Sequence, residues 1–174
     1  MQRKILYRNR GNGSFEDVSA RAGSGIALKR SSRGVAFGDI FNTGQTDILV
    51  SNMNESPTLL RNYTRPKFSS LTIQLRGKAP NLFAIGGRVS VVPGTLHMMN
   101  EVQSGGSYLS QNDLRLRFGL GSATKADRVL IRWPDGHEDA LENVAAGQYL
   151  TVAYGGKILS AVPYGETPGK LKKH

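Results

Sequence analysis

The chain has no cysteine among its 174 residues, and this absence excludes several classes of protein. Disulfide-stapled scaffolds, thiolate zinc sites and cysteine nucleophiles all require the missing thiol. Long apolar runs are also absent, since none approaches the ~20 residues that a membrane-spanning helix needs. No apolar signal core follows the first basic residues, so the sequence shows no readable export signal and predicts no membrane span.

Acidic residues are scarce, and the resulting formal charge of +10 is unevenly distributed. Residues 1–33 carry a net charge of +6 and residues 154–174 a net charge of +3, whereas the long middle is nearly neutral. A nucleic-acid site would need basic and aromatic residues interleaved on one folded face. We therefore expect two solvated basic ends and no nucleic-acid partner.

Alternating apolar and polar residues dominate wherever a period can be read. Each alternating run is short and is bounded by Gly, Pro, Asn or Asp, which is typical of β-strands. The clearest runs are 72–75, 88–92, 114–118, 128–133 and 149–153. No window has apolar residues at helical spacing over three turns. The pattern predicts an all-β fold with a compact antiparallel β-sandwich-like domain.

The first third of the sequence contains an internal echo. Leu6-Tyr7-Arg8-Asn9 recurs as Leu59-Leu60-Arg61-Asn62, and the strand-like runs between the copies have the proportion of one β-propeller blade. Pro66 and its polar neighbours interrupt this pattern and indicate a boundary. We predict a partial propeller segment at 1–65, a β domain at 68–154 and a basic C-terminal tail at 155–174.

Two stretches near the start of the chain carry a resemblance to a known repeat. They are Gly13-Ser14-Phe15-Glu16-Asp17-Val18-Ser19 and Gly34-Val35-Ala36-Phe37-Gly38-Asp39, and they resemble FG-GAP (VCBS) repeats. About 65 residues supply little more than one blade of such a propeller. The resemblance therefore implies the C-terminal end of a larger repeat protein.

Residues from about 71 to 152 look like the ASPIC/UnbV domain that follows such repeats in the cartilage acidic protein family. The stretches that carry this resemblance are 84–89, 104–113, 116–121 and 129–136. Members of the family are typically secreted, extracellular or periplasmic, with a calcium-binding propeller in front of this domain. The resemblance supplies no catalytic residues, because no activity of the domain is established.

The stretch 39–47 corresponds to the calcium loop of FG-GAP repeats. Asp39, Gly44 and Asp47 occupy the first, sixth and ninth positions of the loop, whereas Phe41 and Thr43 replace two of its carboxylates. Calcium requires six to eight oxygen ligands. Asp39, Thr43 and Asp47 are thus candidates for a weak calcium site. In the alternative interpretation, the loop keeps its turn without an ion and its carboxylates accept bonds from loop N–H groups.

The glycine-rich stretch 104–113 is the second candidate site. Ser107, Tyr108, Gln111 and Asp113 offer an aromatic face and several polar groups that suit a sugar or a peptide edge. The same groups can instead pin the loop to its own backbone, which we consider the better interpretation. No phosphate-binding helix or nucleophile elbow accompanies these glycines.

The remaining candidate residues, which are the histidines, an acidic group and the tryptophan, are better explained by structural roles than by catalysis. The three histidines share no spacing that suits zinc or catalysis, and the acidic residues between 135 and 142 fit a turn and a returning strand better than a glycosidase pair. Trp133, the one tryptophan, ends an alternating run and is expected to pack in the core or at its rim.

The sequence as a whole favours a non-enzymatic binding or structural module of an exported or cell-surface protein. Its expected partner is a protein or a glycan at a cell surface or in the extracellular matrix. A carbohydrate-binding or carbohydrate-active accessory domain that uses the 104–113 loop is the alternative. The open edges of an incomplete blade also predict self-association.

Overall fold

The computed structural model describes residues 1–64 and 68–165, and the predicted all-β fold is confirmed in them. The first part contains β1 (Tyr7–Asn9), β2 (Phe15–Asp17), a 3₁₀ turn (Ser19–Arg21), the one-turn helix α1 (Ser24–Ala27), β3 (Ser32–Gly38), β4 (Asp47–Asn52) and β5 (Glu55–Leu60). The second part contains β6 (Ser69–Arg76), β7 (Arg88–Val92), β8 (Met98–Glu101), β9 (Leu116–Gly121), β10 (Lys125–Arg132), β11 (Glu138–Ala145), β12 (Gln148–Ala153) and β13 (Lys157–Pro163). No helix in these two parts is long and apolar enough to cross a bilayer.

The second part is a β-sandwich of two four-stranded sheets. One sheet has the order β11-β10-β7-β8 and the other the order β13-β12-β6-β9. The alternation seen in the sequence points one side chain in two into the space between the sheets. The core formed there includes Ile73, Val91, Ile131, Trp133 and Val152, all at most 2% exposed. Trp133 therefore packs in the core, as its place in the sequence predicts.

Two features of the sandwich differ from the prediction. Strands β6 and β12 are parallel, with Leu71 opposite Gln148, whereas an antiparallel domain was expected. This pairing joins strands that are distant in sequence, so no local turn signal marks it. The predicted tail at 155–174 is wrong at its start, because β13 pairs with β12 through a turn at Gly155 and Gly156. The remainder of that tail, 166–174, and part of the predicted boundary, 65–67, lie outside the described residues.

The first part consists of a β1–β2 hairpin and the three-stranded antiparallel sheet β3-β4-β5. Within residues 1–64, Ile26 and Val50 are the only large apolar side chains that are buried. Cross-strand pairing places Ala36, Leu49 and Leu59 on one face of the sheet. Phe37 and Ile48 lie on the opposite face. The sheet thus carries apolar side chains on both faces but forms almost no core of its own.

A core truncation in the sandwich should cost far more stability than a similar truncation in the first part. We expect Ile131→Ala to lower the free energy of unfolding by about 2–5 kcal/mol, because it leaves a cavity between the two sheets. Ile40→Ala removes a side chain that is 51% exposed and should cost less than about 1 kcal/mol. Urea unfolding followed by Trp133 fluorescence compares the variants, and equal losses would contradict the position of the core.

Candidate functional site

The 39–47 turn is held by its own acidic side chains. The Asp39 carboxylate accepts hydrogen bonds from the backbone N–H of Thr43 at 2.9 Å and of Gly44 at 2.6 Å. The Asp47 carboxylate accepts from the N–H of Ile40 at 3.2 Å and of Asn62 at 2.8 Å. Both carboxylates are buried, so these bonds compensate for their loss of water.

The third calcium candidate, Thr43, lies in the same turn. Its Oγ1 accepts a hydrogen bond from the N–H of Gln45 at 3.4 Å. Within the described residues, no three His, Asp or Glu side chains are grouped so that they could hold a metal ion. The arrangement is that of the alternative interpretation, in which the turn is fixed by backbone N–H donors.

The turn docks against two tyrosines of the sandwich. The Tyr149 hydroxyl donates to the Asp39 carboxylate and accepts from the Gly44 N–H at 2.8 Å. The Tyr164 ring covers Gly44 so closely that a Cβ there would lie 2.5 Å from it, and Gly44 has φ +75°. Burial and the hydrogen bond to Asp39 raise the pKa of Tyr149 above its usual value, so the phenol stays a donor to the carboxylate.

Arg115 joins the turn to the sandwich on a second side. Its guanidinium pairs with the Asp113 carboxylate, with an Nη2–Oδ2 distance of 2.6 Å. It also donates to Asn42 Oδ1 at 2.7 Å and to the Asp39 carbonyl at 2.8 Å. Burial opposes the charged form, but the hydrogen bond and charge of Asp113 keep the pKa of Arg115 above its usual value. Two oxygens of the 39–47 turn, one from a side-chain amide and one from the backbone, thus contact a cation supplied by the chain itself.

Strand β3 provides a close-fitting surface for the loop that precedes Arg115. Gly34, Ala36 and Gly38 alternate along the strand, so three small residues share one face. A Cβ on Gly34 would lie 2.6 Å from the Tyr108 carbonyl oxygen. At the edge of the same strand, Phe37 donates to Asn112 Oδ1 at 3.0 Å, and its carbonyl accepts from the Asp113 N–H at 2.8 Å. This outer edge of the β3-β4-β5 sheet, where an open edge was expected, is therefore covered at Phe37.

The structure separates the four candidates in the 104–113 loop. Gln111 is bonded internally, since it accepts from the Gly105 N–H at 2.6 Å and donates to the carbonyls of Gln103 and Asn112. Asp113 pairs with Arg115, and Ser107 forms a short bridge to Ser110. Tyr108 differs from the others, because its side chain is 65% exposed.

The two candidate sites predicted from sequence are thus parts of a single interface. Asn42 and Arg115 are surrounded by Asp39 and Thr43 from one stretch and by Asp113 from the other. Asp47 stabilises the same turn by accepting a hydrogen bond from the Ile40 N–H. The cleft beside this interface is lined by several polar residues, including Thr72, Asn100, Gln103 and Arg117.

The sandwich that supplies Arg115 and both tyrosines also carries the family signature. Residues 77–158 match the ASPIC and UnbV family. The match extends from the loop after β6 into β13, so it covers most of the sandwich and confirms this part of the resemblance seen in the sequence. A search of curated proteins finds no match to the chain. The FG-GAP resemblance of the first part remains a prediction.

A second polar cluster lies at one end of the ASPIC/UnbV sandwich. Asp135, in the turn before β11, accepts from Lys78 at 2.8 Å, from the Tyr154 hydroxyl at 2.8 Å and from the His137 N–H at 3.1 Å. These donors, Lys78 foremost, hold the pKa of Asp135 well below its usual value. Trp133 donates from its indole N–H to Asp139 at 2.6 Å. The acidic residues of this region brace a turn and a returning strand, as predicted.

Sequence reasoning missed the residues that join the two parts. Tyr149 and Tyr164 lie in or beside ordinary strand patterns, and nothing local marks them as partners of a turn more than 100 residues away. Two signals were nevertheless present. In the first signal, small residues alternate along the sequence of β3, namely Gly34, Ala36 and Gly38. In the second, Arg115 and Arg117 alternate with the apolar residues Leu114, Leu116 and Phe118.

Calcium should not stabilise the 39–47 turn, because N–H donors already surround the Asp39 carboxylate and would repel a cation. We expect millimolar calcium to leave the melting temperature unchanged and to give no heat in a calorimetric titration. Asp39→Asn should lower the free energy of unfolding by about 1.5–3 kcal/mol with or without calcium, since it weakens hydrogen bonds to a charged acceptor. A calcium-dependent rise in melting temperature in the wild type that Asp39→Asn abolishes would establish an ion site instead.

Lys78→Met should return the pKa of Asp135 toward its usual value of about 3.9. A carboxyl whose pKa is lowered by folding stabilises the folded state above that usual value, and the contribution is lost as the pH falls through the lowered pKa. The wild type should therefore exceed Lys78→Met in melting temperature near neutral pH and approach it in strong acid. NMR titration of the Asp135 carboxyl measures the shift, and Lys157→Met, at the exposed start of β13, is the control for loss of a lysine.

Proposed function

We propose that this chain is a non-enzymatic binding and structural module of an exported or cell-surface protein. In this proposal the ASPIC/UnbV sandwich fixes the edge of a propeller-type blade formed by residues 1–64. The observation that carries the proposal is the interface around Arg115, where groups that resemble ligand sites in the sequence bond to each other. An exported location follows from the family resemblance.

The shape of the first part supports its role as a blade. Propeller blades pack against neighbours on both faces, and the β3-β4-β5 sheet carries apolar side chains on both. Phe37 is 44% exposed on one face and Leu49 is 42% exposed on the other. Such a sheet forms little core alone and depends on what covers it.

The two edge strands of this sheet, β3 and β5, differ in what covers them. Strand β3 is covered at Phe37 by Asn112 and Asp113, as described above. Strand β5 has no strand partner on its outer side within the described residues, but it contains Pro57, which lacks a backbone donor. Proline on an outer strand is a common way to discourage pairing with another chain. Self-association through the edge of β5 stays a prediction, and Pro57 makes such pairing less favourable.

Loss of the Arg115 contacts should loosen the first part while the sandwich stays folded. We expect Arg115→Met to speed amide exchange in β3 and β4 by about tenfold or more, since hydrogen bonds of a charged group are worth about 1.5–3 kcal/mol. Trp133 lies in the sandwich core and is the one tryptophan, so its fluorescence transition should move far less.

The matched control is Arg128→Met, which removes an arginine that pairs with Glu142 on the exposed surface of the sandwich. It should leave amide exchange in β3 and β4 unchanged. In a double-mutant cycle, Arg115→Met and Asn42→Ala should be clearly non-additive, because the two side chains are 2.7 Å apart. Unchanged exchange in Arg115→Met would show that the sheet stands without the sandwich, and the proposal would fail.

A further inference from the structure

Arg61, at the end of β5, is held by aromatic rings. Its guanidinium carbon lies 4.0 Å from the ring centroid of Phe41 and 4.8 Å from that of Tyr63, over the face of each ring. Within residues 1–64 and 68–165, Arg61 has no acidic partner and donates no side-chain hydrogen bond. Ring contacts use the face of a guanidinium, so the N–H groups along its edge remain available.

A guanidinium in this state is suited to bind an anion. The rings restrict its motion before any ligand arrives, which lowers the entropy that binding must overcome. The edge of an arginine matches two oxygens of a sulfate, phosphate or carboxylate group. Arg61 differs in this respect from Arg115, whose partly buried guanidinium has its donors paired with groups of the chain itself.

The surroundings of Arg61 indicate what kind of anion fits. It borders a groove of about 680 Å³ between β5 and the segment around α1. The groove has polar groups at Arg21, Ser24, Asn62 and Thr64, and none of its described lining residues is acidic. Its floor and walls also include apolar side chains, namely Leu6, Ile26, Ile48, Leu59 and Leu60. Tyr63 stands at the same groove with its side chain 77% exposed. The groove therefore combines a cation, hydroxyl and amide groups, and an exposed aromatic ring.

We propose that this groove binds a sulfated saccharide, with the sulfate on the edge of Arg61 and a sugar ring against Tyr63. Hydroxyl and amide groups at Ser24, Asn62 and Thr64 match the hydroxyls of a saccharide. The dimensions are in the range of small-ligand sites, which is about 300–1,000 Å³. The inference rests on the proposed binding role and deepens it by naming a ligand class. The anion contact itself is made by Arg61, which does not contact Arg115.

The internal echo of the sequence supplies a matched control. Arg8 occupies the position of Arg61 in the first copy of the motif and is also exposed. Among the described residues Arg8 contacts no aromatic ring and forms no ion pair. Removal of either arginine changes the net charge equally, although Arg8 lies opposite Glu16 in the hairpin. The comparison therefore controls for the overall charge of the chain.

The test is a titration of the full chain with a heparin-derived oligosaccharide, repeated with its desulfated form. We expect Arg61→Ala to weaken binding about tenfold or more, and Arg8→Ala by less than about twofold. Arg61→Lys keeps the charge but loses the two-pronged edge, so it should recover only part of the affinity. Tyr63→Ala should weaken binding too, and the desulfated sugar should bind poorly to every variant.

Three outcomes would overturn the inference. An equal loss of oligosaccharide affinity in Arg8→Ala and Arg61→Ala would show that binding depends only on the overall positive charge of the chain. Loss of binding in Tyr108→Ala but not in Arg61→Ala would move the site to the 104–113 loop. Tighter Arg61-dependent binding of a single-stranded oligonucleotide than of the sugar would assign the groove to nucleic acid. Arg61 stacks on Phe41, which belongs to the 39–47 turn, so the two proposals are separated by their own variants. Unchanged amide exchange in Arg115→Met would overturn the proposed function, whereas unchanged sugar binding in Arg61→Ala would overturn this inference alone.

Discussion

The hydrogen bonds of Arg115 hold together two parts of the chain whose cores are very unequal. The sandwich buries a continuous apolar core, whereas residues 1–64 bury only two large apolar side chains. A sheet with so little burial gains limited stability from the hydrophobic effect. In the proposed arrangement its position and order depend on a polar interface, in which one charged side chain contacts a carboxylate, an amide and a backbone carbonyl. Removing such a partner leaves partly buried acceptors without their donor, which adds a desolvation cost to the loss of the bonds.

Loops with the composition of a ligand site can be fully occupied by their own chain. Asp39 and Asp47 resemble calcium ligands, yet each carboxylate is bound by backbone N–H groups. Gln111 resembles a sugar ligand, yet all of its bonds are local. Arg61 shows the opposite state, since its ring contacts fix the side chain without using its donors. The hydrogen-bond partners of a polar residue thus say more about its availability than its residue type does.

Much of the fold could be predicted from the sequence because its signals are local. Alternation marked β7, β10 and β12, and a turn at Asp135-Gly136 marked the β10–β11 hairpin. Strand β13 and the parallel pairing of β6 with β12 were missed, since they depend on contacts between distant residues. The internal role preferred for the 104–113 loop agrees with the local bonds of Gln111. The particular partner of each candidate residue was not predictable. Whether Asp113 meets a ligand or Arg115 is decided by tertiary packing that no short motif encodes.

The contact between Gly44 and Tyr164 has a consequence for the order of folding. Tyr164 follows the last strand of the sandwich, and 120 residues separate it from the turn that it covers. During synthesis the first sheet leaves the ribosome before Tyr149 and Tyr164 have been added to the chain. Its apolar faces therefore stay exposed to solvent during that time. Sequence-distant contacts of this kind form late and leave exposed strands vulnerable in the interval. Strands β3 and β5, which contain the small residues Gly34, Ala36 and Gly38 and also Pro57, are therefore exposed until the sandwich has been synthesised.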